Sequence, residues 1–246
     1  MAKEIREIIT FHEQIAAGDI EKMSVLNALR AVTTQAEERG ALSSSMPNAQ
    51  DKSSATEVTR QPLSPETQRL VEKLKKDGYA VYDTEGKTPR ALQTEGMPFW
   101  YINPALMDVS APSSLLAFKP NPSEFFLKGT QNIPYEQQLK LLEKEKERID
   151  KKYRDSGLVA RVGKPSEWTE LGWKHFKATD EKVRIFGEDY GYNWTWTDTY
   201  ESDKPGAGRA NVGYWDETLG FGVGFNHPDG VDPYLGLAPL VEIPRK

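Results

Sequence analysis

One segment near the C-terminus constrains the fold more than any other part of the sequence. In residues 219–225 (LGFGVGF), large apolar side chains alternate with three glycines. Successive side chains of a strand point to opposite faces, so one face of this strand is apolar and the other carries no side chain. A bare glycine face admits another backbone or flat rings at short range. We therefore predict a sheet in which aromatic rings of a neighbouring strand lie over the glycines.

A second alternating segment precedes it. In residues 190–196 (YGYNWTW), every other residue is a Tyr or Trp, which predicts a strand with all four rings on one face. Further strands are expected at residues 210–215 and 235–243, with Pro239 confining the last one to an edge or a bulge. Residues 198–209 are expected to form a loop. Together these segments predict that the C-terminal third is a small antiparallel sheet.

The aromatic rings of residues 190–196 admit two interpretations. As core residues, each buries a large apolar area and needs no ligand. As surface residues beside Asp and Asn, they are suited to stacking on sugar rings or to anchoring a protein partner. Because large aromatic side chains are mostly buried, the core interpretation is favoured for this segment as a whole. We expect the ligand-binding candidates in loop-like settings instead: Trp215 with Asp216, and Tyr234 after Asp229.

The residues before this sheet predict helices and short strands. Ser64 and Pro65 are typical of a helix start, a longer charged helix is expected at 134–153, and another begins at Ser166. His175, on the apolar side of that last helix, is interpreted as a core histidine. Short strands are expected at residues 79–82, 115–118 and 125–127. The predicted fold class is therefore α+β, with helices packed on a small antiparallel sheet.

The first 63 residues differ from the rest of the chain. Residues 1–40 predict a helical hairpin, because apolar residues recur there at helical spacing on both sides of Gly18. Residues 41–63 are rich in Ser and polar residues and predict a flexible linker. The main α+β domain is expected to span residues 64–246, with the hairpin as an N-terminal appendage.

Composition excludes several kinds of site. The chain has no Cys, which rules out disulfides, a thiolate nucleophile and Cys-ligated metals, and its three His are far apart in sequence. We therefore expect neither a metal site nor a cofactor. The net charge of −5 argues against nucleic-acid binding by bulk electrostatics. No apolar run is long enough to span a bilayer and the N-terminus lacks a signal-peptide core, so a cytoplasmic protein is expected.

The negative charge is concentrated in one region. Residues 187–246 hold ten acidic and four basic side chains, a balance of −6, whereas the first 186 residues have a balance of +1. Two carboxyl groups at a suitable separation could hydrolyse a glycosidic bond. Sequence neighbours in a strand point to opposite faces, however, so adjacent acids are poor indicators of a working pair, and we expect no catalytic residues. The pairs in question are Glu188 with Asp189, Asp216 with Glu217, and Asp229 with Asp232.

Three functions thus remain open. The first is a non-enzymatic protein that binds a protein or glycan ligand through its aromatic and acidic C-terminal loops. The second is a glycan-active hydrolase that uses acidic residues of the same region. The third is an accessory or phage-related structural protein in which every aromatic side chain belongs to the core.

Several short segments of the sequence resemble segments of known protein groups. The order LVEKLKKDGYAVY, FGEDYGYNWTWTDT and LGLAPLVEIP resembles a group of uncharacterised proteins from uncultivated bacteria with small genomes. The WTWT segment, the Gly-Tyr-Trp segment and the final Leu-Gly-x-x-Pro strand are similar to C-type-lectin-like domains, including ligand-binding proteins diversified by retroelements. The resemblance implies a compact α+β domain with an exposed, substitution-tolerant C-terminal binding surface. The chain lacks the cysteines and the Glu-Pro-Asn or Gln-Pro-Asp triplet of calcium-dependent lectins, so calcium-mediated sugar binding is not expected.

Overall fold

The computed structural model describes residues 62–202, 204 and 206–245. The predicted hairpin at 1–40 and most of the linker at 41–63 lie outside the described residues. The first described helix begins at Pro65 with Ser64 as its N-cap, as predicted, because the Ser64 hydroxyl accepts a hydrogen bond from the Thr67 amide and Pro65 occupies the first turn. About 33% of the described residues are helical and 25% lie in strands, which confirms the α+β class.

The elements follow one another in short segments. The helices are α1 (Pro65–Lys76), α2 (Pro89–Thr94), α3 (Pro122–Phe125), α4 (Tyr135–Lys152) and α5 (Pro165–Ala178), with 3-10 turns at Pro104–Leu106 and Glu188–Tyr190. The strands are β1 (Ala80–Asp83), β2 (Phe99–Ile102), β3 (Leu115–Phe118), β4 (Val159–Val162), β5 (Trp194–Tyr200), β6 (Arg209–Asp216), β7 (Gly220–Asn226), β8 (Leu235–Gly236) and β9 (Pro239–Ile243). No helix among these combines the length and apolar character needed to cross a membrane.

The strands form two sheets, not one. The four-stranded sheet has the order β1–β3–β9–β4 and is antiparallel throughout. The predicted edge or bulge position of Pro239 is wrong, because β9 lies between β3 and β4. Pro239 is tolerated there as the first residue of the strand, where a missing amide donor interrupts the sheet least.

The five-stranded sheet has the order β2–β7–β6–β5–β8. Its three central strands are antiparallel, but β2 runs parallel to β7 and β8 runs parallel to β5. The predicted small antiparallel sheet is therefore correct only for the central strands. The predicted strand at 235–243 divides into β8 in this sheet and β9 in the other.

Three local predictions also need correction. Strand β5 begins only at Trp194, because the chain turns through Tyr192 at a φ of 53° after the 3-10 turn, so four rings do not share one strand face. Strand β5 extends to Tyr200, which pairs with Arg209, so the loop expected at 198–209 is shorter. Residues 125–127 form no strand, because the Asn121 side chain caps α3 instead.

Helix α5 is almost entirely enclosed and packs against strands of both sheets. Eleven of its 14 residues are buried, so its polar side chains must find partners inside the protein. His175 is the expected core histidine: its Nδ1 lies 2.8 Å from the Tyr82 hydroxyl oxygen, and burial lowers its pKa.

The two buried carboxylates of α5 are fully engaged. Glu167 accepts hydrogen bonds from Arg161 at 2.6 and 2.8 Å and from the Lys164 amide at 2.8 Å. Glu170 accepts the consecutive backbone amides of residues 85–87 at 2.6, 2.9 and 2.9 Å. Glu170 thereby fixes the loop between β1 and α2 against the helix.

Replacing Glu170 should destabilise the fold strongly. In Glu170→Ala three amides lose a charged acceptor, and we expect the free energy of unfolding to fall by about 2–4 kcal/mol. Urea unfolding followed by circular dichroism measures this. Glu181→Gln, which removes only the exposed ion pair with Lys177, serves as the control and should change stability by less than about 0.5 kcal/mol. Equal effects of the two substitutions would contradict the anchoring role of Glu170.

Candidate functional site

Trp215, expected in a loop-like setting, is only 1% exposed. It lies on β6, where its ring packs against Phe176 and Phe221 at centroid distances of 5.2 and 5.5 Å. The physical reason is a bulge between Gly213 and Asp216, where the register against β7 shifts and Tyr214 adopts a φ of 50°. The expectation that Trp215 is a surface residue is wrong.

The other three candidates do not converge on one site. Asp216 accepts the amides of Thr218 and Leu219 at 2.7 and 2.8 Å, so it shapes the turn into β7. Tyr234 is 58% exposed and Asp229 is also exposed, as expected, but both follow the opposite end of β7. The structure therefore separates Asp216 from Tyr234 and Asp229 by the length of that strand.

A cluster that the sequence did not single out lies on the outer side of the five-stranded sheet. Trp100 and Tyr101 of β2 are 45% and 42% exposed, and the register of β2 against β7 shifts between Phe99 and Tyr101. The Trp100 ring centroid lies 6.2 Å from that of Trp194 and 6.0 Å from that of Tyr214. The Tyr192 ring extends the cluster, since its centroid lies 5.1 Å from that of Tyr214. We call this group the aromatic face: Trp100, Tyr101, Tyr192, Trp194 and Tyr214.

The glycines of β7 support the aromatic face from below. A Cβ atom on Gly222 would lie 2.5 Å from Trp194 Cη2 and 2.8 Å from Trp100 Nε1, closer than van der Waals contact allows. A Cβ atom on Gly224 would lie 3.3 Å from the Tyr101 ring. The predicted stacking of rings over these glycines is thus confirmed, although the rings come from β2 and β5 and not from a single neighbouring strand.

Acidic side chains border the aromatic face. Glu188 lies in the turn that leads into Tyr192, and Asp216 and Glu217 follow Tyr214 on β6. Partial burial raises the pKa of Tyr192, and the negative charges of Glu188, Asp216 and Glu217 raise it further. Arg184 pairs with Glu217 at 2.9 Å. We call Glu188, Asp189, Asp216 and Glu217 the acidic rim.

A cleft of about 590 Å³ adjoins the aromatic face. Asp189, Gly191 and Asn193, which flank Tyr192 in sequence, form one wall, and Ser123 and Lys128 lie among the residues opposite. Among the described residues, no group of three or more His, Asp or Glu side chains could hold a metal ion.

Comparisons with protein-family models, curated proteins and solved structures gave no match. The resemblance to C-type-lectin-like domains therefore stays a prediction. What the chain can do has to be inferred from its own geometry.

The sequence carried one overlooked signal for this site. Residues 99–102 read FWYI between Pro98 and Asn103-Pro104, a short aromatic run bounded by prolines. Such a run is typical of an edge strand. Its parallel pairing with β7, more than a hundred residues away, was not predictable from local pattern.

Substitutions at the two glycines should have unequal effects. Gly222→Ala forces two Trp rings to move, and we expect a loss of about 1–3 kcal/mol in the free energy of unfolding together with a shift in Trp emission. Gly224→Ala meets only the exposed Tyr101 ring, which can yield, so its effect should stay under about 1 kcal/mol. Chemical unfolding monitored by fluorescence measures both. A larger loss for Gly224→Ala would contradict the described ring positions.

Proposed function

We propose that this protein is a binding protein whose ligand-contacting surface is the aromatic face. One observation carries the proposal: Trp100 and Tyr101, neighbours on the edge strand β2 where its pairing with β7 is irregular, are both almost half exposed over a glycine floor. Contiguous exposed aromatic surface on a soluble domain is typical of interaction sites. Trp and Tyr are also the residues most enriched where binding energy is concentrated.

The rings are held in place before any ligand arrives. Trp100 contacts Tyr101, Trp194 and Tyr214 at centroid distances between 5.7 and 6.2 Å. Side chains fixed by packing lose less conformational entropy on binding than freely rotating ones. A protein or a glycan is the proposed class of ligand. Because the region is acidic, nucleic acid is not proposed.

Binding accounts for the site better than the two alternatives do. A hydrolase needs two uncommitted carboxyl groups at a suitable separation, whereas Asp216 shapes a turn and Glu217 pairs with Arg184, which leaves only the sequence neighbours Glu188 and Asp189 of the acidic rim. A purely structural protein with every aromatic side chain in the core does not fit the exposure of Trp100 and Tyr101. The resemblance to C-type-lectin-like domains favours the same proposal, because it implies an exposed binding surface.

A ligand screen on the full chain tests the proposal. A displayed random-peptide library and a glycan array are screened against the parent, and each ligand recovered is titrated against Trp100→Ser. We expect affinities to fall by at least about tenfold, because truncating a central aromatic residue of an interface costs about 2 kcal/mol.

The matched control is Val159→Ser. Val159 is 52% exposed on β4, in the other sheet, so its substitution removes apolar surface away from the aromatic face. Both variants are first checked for parent-like circular dichroism. Ligands that bind Trp100→Ser as tightly as the parent, or a screen that recovers none, would contradict the proposed function.

A further inference from the structure

We propose that the ligand of the aromatic face is a basic polypeptide segment, whose Arg and Lys side chains lie against the exposed rings within the acidic rim. The proposal rests on the proposed function, since it names the ligand class of the same surface. Three observations carry it: the charge around the face, the use of rings as cation partners elsewhere in the chain, and the angles between the rings.

The charge around the aromatic face is negative. Glu188 and Asp189 are exposed, and the Glu217 side chain is 75% exposed. Among the described residues, no Lys or Arg forms an ion pair with Glu188, Asp189 or Asp216. Arg184, the partner of Glu217, has its guanidinium 4.8 Å from the Phe176 ring and is thereby engaged on both sides. The negative charge of the rim therefore attracts cations to the exposed rings.

The same chain already holds a cation between aromatic rings. The Arg209 guanidinium lies 4.0 Å from the centroid of Tyr135 and 3.7 Å from that of Tyr200. Arg209 is only 4% exposed, and no carboxylate among the described residues pairs with it. Apart from a hydrogen bond to the Thr197 carbonyl at 2.9 Å, the rings are its partners. One ring from helix α4, one ring from strand β5 and a single carbonyl thus suffice to accommodate a guanidinium in this protein.

The ring angles favour a cationic side chain over a sugar. Trp194 and Tyr214 are nearly parallel at 26°, but Trp100 meets them at 75° and 67°, so its ring forms a wall beside them and the cluster is not a flat platform. A sugar ring stacks best on a flat aromatic surface. A guanidinium or ammonium group can instead enter between tilted rings and contact their negative faces. The tilted rings and the acidic rim therefore select the same ligand chemistry.

Fluorescence titration of the full chain tests the proposal. The probe is an end-capped peptide of six Gly-Arg repeats, compared with Gly-Glu and Gly-Gln peptides of the same length and with a linear β-glucan hexasaccharide. We expect only the Gly-Arg peptide to change Trp emission saturably. Its affinity should fall by about fivefold or more in Trp100→Ser and in Glu188→Gln/Glu217→Gln, and should weaken with added salt.

Glu147→Gln/Asp150→Asn is the matched control. It removes the same two charges from exposed positions on α4, so unspecific attraction to an acidic protein would weaken equally in both double variants. We expect less than about a twofold change for this control. Equal weakening by the two double variants, or equal binding of the Gly-Arg and Gly-Glu peptides, would overturn the proposal.

The remaining outcomes separate this proposal from the proposed function. Binding of the hexasaccharide or the Gly-Gln peptide in a Trp100-dependent manner, without binding of the Gly-Arg peptide, would overturn the cationic ligand and leave the aromatic face as a binding surface. If no probe changes the emission of Trp100 and the ligand screen recovers nothing, both proposals fail.

Discussion

The missing side chain at Gly222 is the constraint on which the outer surface of this protein depends. Trp194 Cη2 and Trp100 Nε1 occupy the space that a Cβ atom there would need. Two Trp side chains from β2 and β5, which are not neighbours in the sheet, can therefore meet above β7. The aromatic face depends on this free space, because Tyr101 and Tyr214 pack against the Trp100 and Trp194 rings that lie over the glycines.

The inner side of the same sheet is covered by the protein's own core and is thereby closed to a partner. The apolar side chains of β7 and the Trp215 ring pack into the main core with α5, and the buried carboxylates of that helix are each satisfied by several donors. Such satisfied groups stabilise a fold and are committed to contacts within it. The chemistry available to a partner is consequently on the outer surface, where rings and carboxylates face solvent.

The limits of sequence reasoning are visible at particular residues. The alternation in residues 219–225 sufficed to predict β7 and the rings over its glycines. With a period of two, the apolar side chains must face the core, and the glycines must then lie on the other face. Trp215 was assigned to the surface, because a bulge changes the phase of β6 and the local sequence gives no sign of that bulge. Trp100 and Tyr101 escaped notice because their role depends on pairing with a strand far along the chain.

The central claim is that Trp100 lies on an exposed aromatic face while Trp215 belongs to the core. Acrylamide quenching of Trp fluorescence tests it most directly, with the parent compared to Trp100→Phe and Trp215→Phe. The account predicts that Trp100→Phe removes most of the quenchable emission, and that Trp215→Phe leaves the quenchable emission unchanged. Protection of Trp100, or loss of quenchable emission in Trp215→Phe, would contradict the account.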